Sequence, residues 1–133
     1  MLRTHKQPGI VIFAHGSSVE TANEAVRRVA AEFARQGGYA HVEPAFLEQG
    51  KPDLAGAVRL LAERGVHDVH VLPYFLTLGI HLQRDLPVMV AAVEGELPGI
   101  KITVAPPLDG HAALTTVLLD RARNALGEES GPA

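Results

Sequence analysis

Two short apolar runs in this chain each stop on a histidine. Ile10 to Ser17 reads IVIFAHGS and delivers His15; Val69 to Pro87 reads VHVLPYFLTLGIHLQRDLP and delivers His81 behind a glycine. Glu48 closes a third run, HVEPAFLE, and 33 residues separate His15 from Glu48 and again Glu48 from His81. Two imidazoles and one carboxylate make a donor set that suits first-row divalent metals such as iron, cobalt or nickel and leaves coordination positions open. There is no cysteine to add a thiolate, so the grip is moderate, which fits a protein that hands a metal on better than one that keeps it. The same imidazoles, when neutral, can accept protons from an N–H group that is being metallated.

Each residue taken alone has a plainer reading. A single strand-end histidine is commonly a hydrogen-bonded rim residue, and a glutamate before Gln49-Gly50 is commonly a solvated loop residue. His67 and His70 are three apart on the approach to a strand, which puts them on opposite faces and assigns them no site. His5 and His41 read as surface residues. His111 stands at a helix start beside the same rim and is a candidate substrate contact. Asp85 reads as a helix N-cap able to hold the loop that aims His81. Gly16, Ser17 and Ser18 offer backbone N–H groups and hydroxyls near a helix N-terminus, a cradle for carboxylate or phosphate. Phosphate transfer is disfavoured. The residue before His15 is Ala14, where histidine phosphatases carry an arginine, and no glycine-rich phosphate loop or nucleophile elbow is present.

The elements that must carry these groups follow from periodicity. GIVIFA (Gly9 to Ala14) is a continuous β-branched run without polar alternation, the mark of a central strand covered on both faces. Thr21 and Glu24 form a T-x-x-E capping pattern for a helix striped by Ala22, Val26, Val29, Ala30 and Phe33, which Gly37-Gly38 ends. HVEPAFL (His41 to Leu47) is a second strand, and Pro44 sends it to a sheet edge or a bulge. Pro52 suits a first helical position before the stripe Leu54, Ala57, Val58, Leu61 and Ala62. Val66 to Phe75 holds a third strand. Because Pro87 is awkward inside a helix, the next regular helix is expected from Asp85 or Leu86 to Glu94, with His81 just ahead of it. KITVA (Lys101 to Ala105) is the fourth strand, and a last helix is striped by Ala113, Leu114, Val117, Leu118, Arg121, Ala122 and Ala125.

This is a βα unit repeated four times: a four-stranded parallel sheet with helices on both faces, a flavodoxin-like three-layer sandwich. In such sheets ligands bind outside the carboxyl ends of the strands. His15, Glu48, His81 and the Pro107 to His111 loop each follow one strand, so topology alone would bring them to one rim.

Composition narrows the class. With 133 residues, one domain is expected over residues 9–126, with a lead-in at 1–8 and a disordered tail at 127–133. The absence of cysteine excludes disulfides, iron–sulfur ligation and thiol chemistry. A net charge of −3 without a Lys/Arg run argues against nucleic acid or an anionic membrane as partner. MLRTHKQPG lacks an apolar signal region, and the chain reads as cytoplasmic.

Taken together, the motifs resemble the short CbiX type of sirohydrochlorin chelatase, a class II tetrapyrrole chelatase. The resemblance rests on His15-Gly16-Ser17, on Val42-Glu43 and Ala45-Phe46-Leu47-Glu48, on Pro73-Tyr74-Phe75-Leu76 followed by Gly79-x-His81-x-x-x-Asp85-x-Pro87, and on Pro107-Leu108 with Gly110-His111. It implies a lyase that inserts cobalt or iron, with nickel as a third option, into sirohydrochlorin in cobalamin or siroheme biosynthesis. The metal is then a substrate rather than a permanent cofactor. It further implies His15 and His81 as the catalytic pair, one as ligand and one as proton acceptor, with Glu48 assisting at the metal. Gly16, Ser17, Ser18, Phe75, Leu76, Gly79, Arg84 and His111 are the expected substrate contacts. Ser18 stands where many relatives carry arginine or lysine, so Lys51 or Arg84 is the expected cation for a substrate carboxylate. Larger chelatases resemble two such units in one chain, and the resemblance therefore implies a homodimer. A metal or tetrapyrrole carrier without turnover, or a paralogue using the same His/Glu/His site on another small molecule, stays as the alternative.

Overall fold

The computed structural model describes residues 7–128. His5, the rest of residues 1–6 and residues 129–133 of the expected tail lie outside the described residues. Eight elements alternate along the chain: β1 (Gly9–Ala14), α1 (Glu20–Gly37), β2 (His41–Phe46), α2 (Leu54–Glu63), β3 (Asp68–Pro73), α3 (Ile80–Glu96), β4 (Lys101–Val104) and α4 (Ala113–Ala125). The strands form one parallel sheet in the order β2-β1-β3-β4. All six residues of β1 are buried, as its unbroken apolar run requires of a central strand. β2 lies at the edge, where the missing N–H of Pro44 breaks no ladder.

Strand alternation splits the core in two. Val11, Phe13, Ala45, Val69, Val71 and Ile102 point to one face and pack against Leu54, Ala57, Val58 and Leu61 of α2 and Leu86, Val90 and Val93 of α3. Ile10, Ile12 and Leu72 point to the other and meet Ala30 and Phe33 of α1. α1 ends at Gly38, whose φ of 69° places it in the left-handed region and whose N–H reaches the Ala34 carbonyl.

Several local expectations are corrected. α1 begins at Glu20 with Val19 as its N-cap and no side-chain cap, so Thr21 and Glu24 lie inside the first turns and form no capping box. α2 is capped by Asp53, whose carboxylate accepts from the Gly56 N–H at 2.8 Å, and Pro52 lies one residue outside. α3 begins at Ile80, well before Asp85, and takes both His81 and Pro87 into the helix, so Asp85 is not its cap. Pro87 is exposed, and water can meet the Gln83 carbonyl that loses its donor there, while Leu86, Val90 and Val93 hold the helix on the sheet. α4 has the expected bounds, yet it buries none of its residues: Val117, Leu118 and Leu119 are 50%, 69% and 50% exposed. His41 is half-buried, with its Nδ1 enclosed and unpaired among the described residues. No helix among the described residues is long and apolar enough to cross a membrane.

Candidate functional site at the strand ends

In this strand order β1 and β3 are neighbours from which the chain leaves in opposite directions, and the crevice beyond their carboxyl ends is where doubly wound sheets take ligands. His15 follows β1 directly. The parallel ladder continues past the strands: the Leu47 N–H donates to Ala14 O at 2.9 Å and the Glu48 N–H to His15 O at 3.0 Å. This extension brings His15 Nε2 to 3.4 Å from Glu48 Oε1, with both side chains more than half exposed. It also forces residue 16 to be glycine. Gly16 has a φ of 89°, and a Cβ there would stand 1.8 Å from the Glu48 carbonyl oxygen.

His15 Nδ1 lies 3.1 Å from the Gly16 carbonyl. A carbonyl can only accept, so Nδ1–H is the donor in this contact, and Nε2 is the ring nitrogen left facing Glu48. That is the arrangement by which a backbone carbonyl orients a metal-ligating imidazole. His81 occupies the first turn of α3 behind Gly79, the helix N-cap. Its Nδ1 is 3.3 Å from an Arg84 guanidinium nitrogen, which can only donate, and the Arg84 Nε–H donates to Asp85 Oδ1 at 3.1 Å.

His15 and His81 line one cleft of about 380 Å³ with Leu47, Phe75, Ile80 and Met89. Phe75 packs edge-to-face with both Phe13 and His15, at ring separations of 6.0 and 6.4 Å. Leu76 and Ile80 are 66% and 79% exposed beside it. The cleft is thus mainly apolar with the two imidazoles and Asp85 at its wall, the kind of surface a flat, largely apolar ring can cover.

The candidate residues divide as follows. His15 and Glu48 meet directly, and His81 shares the cleft with His15 without closing a cage: among the described residues no three His, Asp or Glu side chains are grouped to hold a metal by themselves. Phe75 and Gly79 line the cleft, and Arg84 sits on His81. Ser18 is exposed, but the Ser17 N–H is engaged by Asn23 Oδ1 at 2.9 Å and the Ser17 hydroxyl accepts from Val19 N, which leaves a smaller cradle than the sequence suggested. His111 lies in a different cleft, of about 570 Å³ between β3, the 105–110 loop and α4, and its Nδ1 accepts from Ala113 N at the start of α4. The two clefts are tied by the Leu108 N–H donating to Phe75 O and the Asp109 N–H to Leu76 O. Asn23 went unremarked in the sequence. Its signal was a polar residue in line with the apolar positions 26, 30 and 33 of the helix stripe.

Fold and cleft define a doubly wound α/β protein with a histidine-lined cleft at the β1/β3 switch point. The chain belongs to the CbiX family, whose model matches residues 9–125. It is similar to the sirohydrochlorin cobaltochelatase of Methanopyrus kandleri, 29% identical over 141 residues that cover 90% of this chain and 98% of the relative. The enzyme of the same name from Methanosarcina barkeri is 27% identical over 125 residues, 89% and 96% of the two chains. Among solved structures, the CbiX protein from Marinobacter aquaeolei VT8 superposes with a TM-score of 0.79 at 28% identity, covering 90% of this chain and 98% of that one. SirB from Bacillus subtilis, solved with Fe³⁺, shares the fold at 20% identity and a TM-score of 0.78, and this chain spans 48% of its length.

Proposed function

We propose that this protein inserts a divalent metal into sirohydrochlorin, with cobalt as the leading substrate and iron as the second. The observation that carries the reading is the convergence of two strand-end histidines on one apolar cleft, one of them 3.4 Å from a carboxylate. The names of the Methanopyrus and Methanosarcina relatives favour cobalt, and hence cobalamin over siroheme biosynthesis. The reading places the reaction in the cytoplasm.

In this mechanism the incoming ion exchanges waters for His15 Nε2 and a Glu48 oxygen, two donors already side by side. The macrocycle lies against Phe75, Leu76 and Ile80 with its nitrogens towards the histidines. On insertion the ion exchanges its bonds to His15 and Glu48 and its remaining waters for four bonds to the ring nitrogens, and the two pyrrole N–H protons released pass one after the other to His81 and from it to solvent. The Nδ1 of His81 is covered by Arg84; a substrate carboxylate draws the guanidinium away and opens that lone pair. Ser18 and Lys51 supply further contacts for carboxylates. The test is an anaerobic absorbance assay with sirohydrochlorin and excess Co²⁺ or Fe²⁺. Many turnovers per protein above the spontaneous rate are expected. A change that saturates at one macrocycle per site would leave a carrier instead.

The reading includes a homodimer. α4 leaves Val117, Leu118 and Leu119 at least half exposed around its surface, and the apolar cleft beside it is lined by Leu72, Pro73, Leu108 and Leu114. A helix that buries nothing in its own copy while displaying three adjacent apolar side chains suits a two-fold contact with a second copy. Sedimentation equilibrium should give a dimer for the natural chain and a monomer for Leu118→Glu; a monomeric natural chain would refute this part.

A further inference from the structure

We propose that Asn23 is a positioning residue that sets the gap between His15 and Glu48, and this rests on reading that pair as the metal site. Asn23 is 1% exposed, the one polar residue in the buried set of the described chain. It sits in the second turn of α1, beneath the loops that follow β1 and β2. Its amide is fully matched. Oδ1 accepts the Ser17 N–H at 2.9 Å, and Nδ2 donates to the Ser17 carbonyl at 2.8 Å and to the Gln49 carbonyl at 2.9 Å. Ser17 lies two residues beyond His15 and Gln49 one beyond Glu48, so a single side chain clamps both loops just past the residues that carry the chemistry.

The neighbouring backbone shows why a clamp is needed. Gln49 has a φ of 53°, the left-handed region that a residue with a Cβ seldom adopts and that persists where surrounding bonds impose it. On the other side Gly16 abuts the Glu48 carbonyl with no room for a side chain. The loops are pressed together at Gly16 and pinned together at Asn23, and the 3.4 Å separation of His15 and Glu48 lies between those two points. Asparagine alone offers this combination of one acceptor and two donors at such reach. Aspartate would keep the Ser17 N–H bond and set a carboxylate against two carbonyls.

Because Asn23 is buried away from the cleft, it acts through the pair, and that separates it from a residue that only supports the fold. Asn23→Asp and Glu48→Gln are made singly and together in the full chain, with folding checked by thermal denaturation. The first measurement needs no metal: the ring ¹⁵N and ¹H resonances of His15 at one fixed pH. Glu48→Gln should move them in the natural background and leave them unmoved in the Asn23→Asp background, where the contact is already lost. The second is Co²⁺ affinity by titration. Asn23→Asp should weaken binding about tenfold, Glu48→Gln by a similar factor, and the double variant no further than either alone. A folded Asn23→Asp with native cobalt affinity, or effects that multiply in the double variant, would overturn the proposal. If the natural chain binds no cobalt, the metal reading falls, and the His15 resonances still decide whether Asn23 sets the pair. Should Asn23→Asp not fold, Asn23→Ser, which keeps a short hydroxyl towards Ser17, is carried through the same two measurements.

Discussion

Replacing His15 by alanine is expected to lower kcat/KM for cobalt insertion at least about 100-fold and to weaken equilibrium Co²⁺ binding with it. Replacing His81 should lower kcat by a similar factor and leave Co²⁺ binding within about threefold of the natural protein. The asymmetry comes from the hydrogen bonds. The Gly16 carbonyl holds His15 through Nδ1 and leaves Nε2 3.4 Å from Glu48, a ligand's posture. Among the described residues no carboxylate pairs with His81, which instead accepts a guanidinium N–H at Nδ1, the posture of a base held covered until substrate arrives. Both side chains sit at the surface, where truncation typically changes stability by about 0.5 kcal/mol or less, so lost activity would not reflect unfolding. Anaerobic steady-state kinetics beside a cobalt titration make the check. Equal loss of cobalt binding in the two variants would sink the division of roles, and full activity in both would sink the site.

Gly16→Ala is the second large effect and tests the scaffold. Two costs add. A left-handed φ of 89° disfavours any Cβ by about 1–2 kcal/mol. Relieving a 1.8 Å approach to the Glu48 carbonyl, with Phe46 also at 3.3 Å, requires the β1 and β2 loops to part, an overpacking cost of about 1–3 kcal/mol. The sum is about 3 kcal/mol, and for a chain of this size that lowers Tm by roughly 10 °C. Gly38→Ala is the matched control: its φ is 69°, nothing lies within 4 Å of the added carbon, and only the first cost applies. Thermal denaturation should therefore place Gly16→Ala well below Gly38→Ala. Comparable melting temperatures would mean that the loops separate freely. In that case the His15–Glu48 distance is not held by the backbone.

Much of the architecture was legible because it depends on local pattern. The unbroken GIVIFA run is a strand that must be covered on both faces, and β1 is buried throughout. Pro44 lacks an N–H and belongs on an edge, and β2 is the edge strand. Gly37-Gly38 ends α1 for want of a Cβ. Local pattern and structure part where distant packing outweighs local preference. T-x-x-E is a valid cap pattern, but Asn23 must face the loops, and that requirement fixes the phase of α1 with Thr21 already inside it. Pro87 argued for a late start to α3; the burial of Leu86, Val90 and Val93 against the sheet carries the helix through it.

The residues themselves determined which groups stand at the strand ends, since a parallel sheet sends every βα loop to the same rim. His15, Glu48 and His81 were recognisable on that ground, and the family by the resemblance of the motifs around them. Only the tertiary structure decided which of them meet. A rim is wide, and sequence order does not measure distances across it. The register of β1 against β2, continued by two hydrogen bonds beyond the strands, sets His15 beside Glu48. The early start of α3 turns His81 into the cleft beside Arg84. His111, expected at the same rim, is held in a separate cleft by its bond to the α4 backbone. The clamp through Asn23 joins positions 17, 23 and 49, a contact between segments that no periodicity relates, and it exists only once the sheet has brought their loops together.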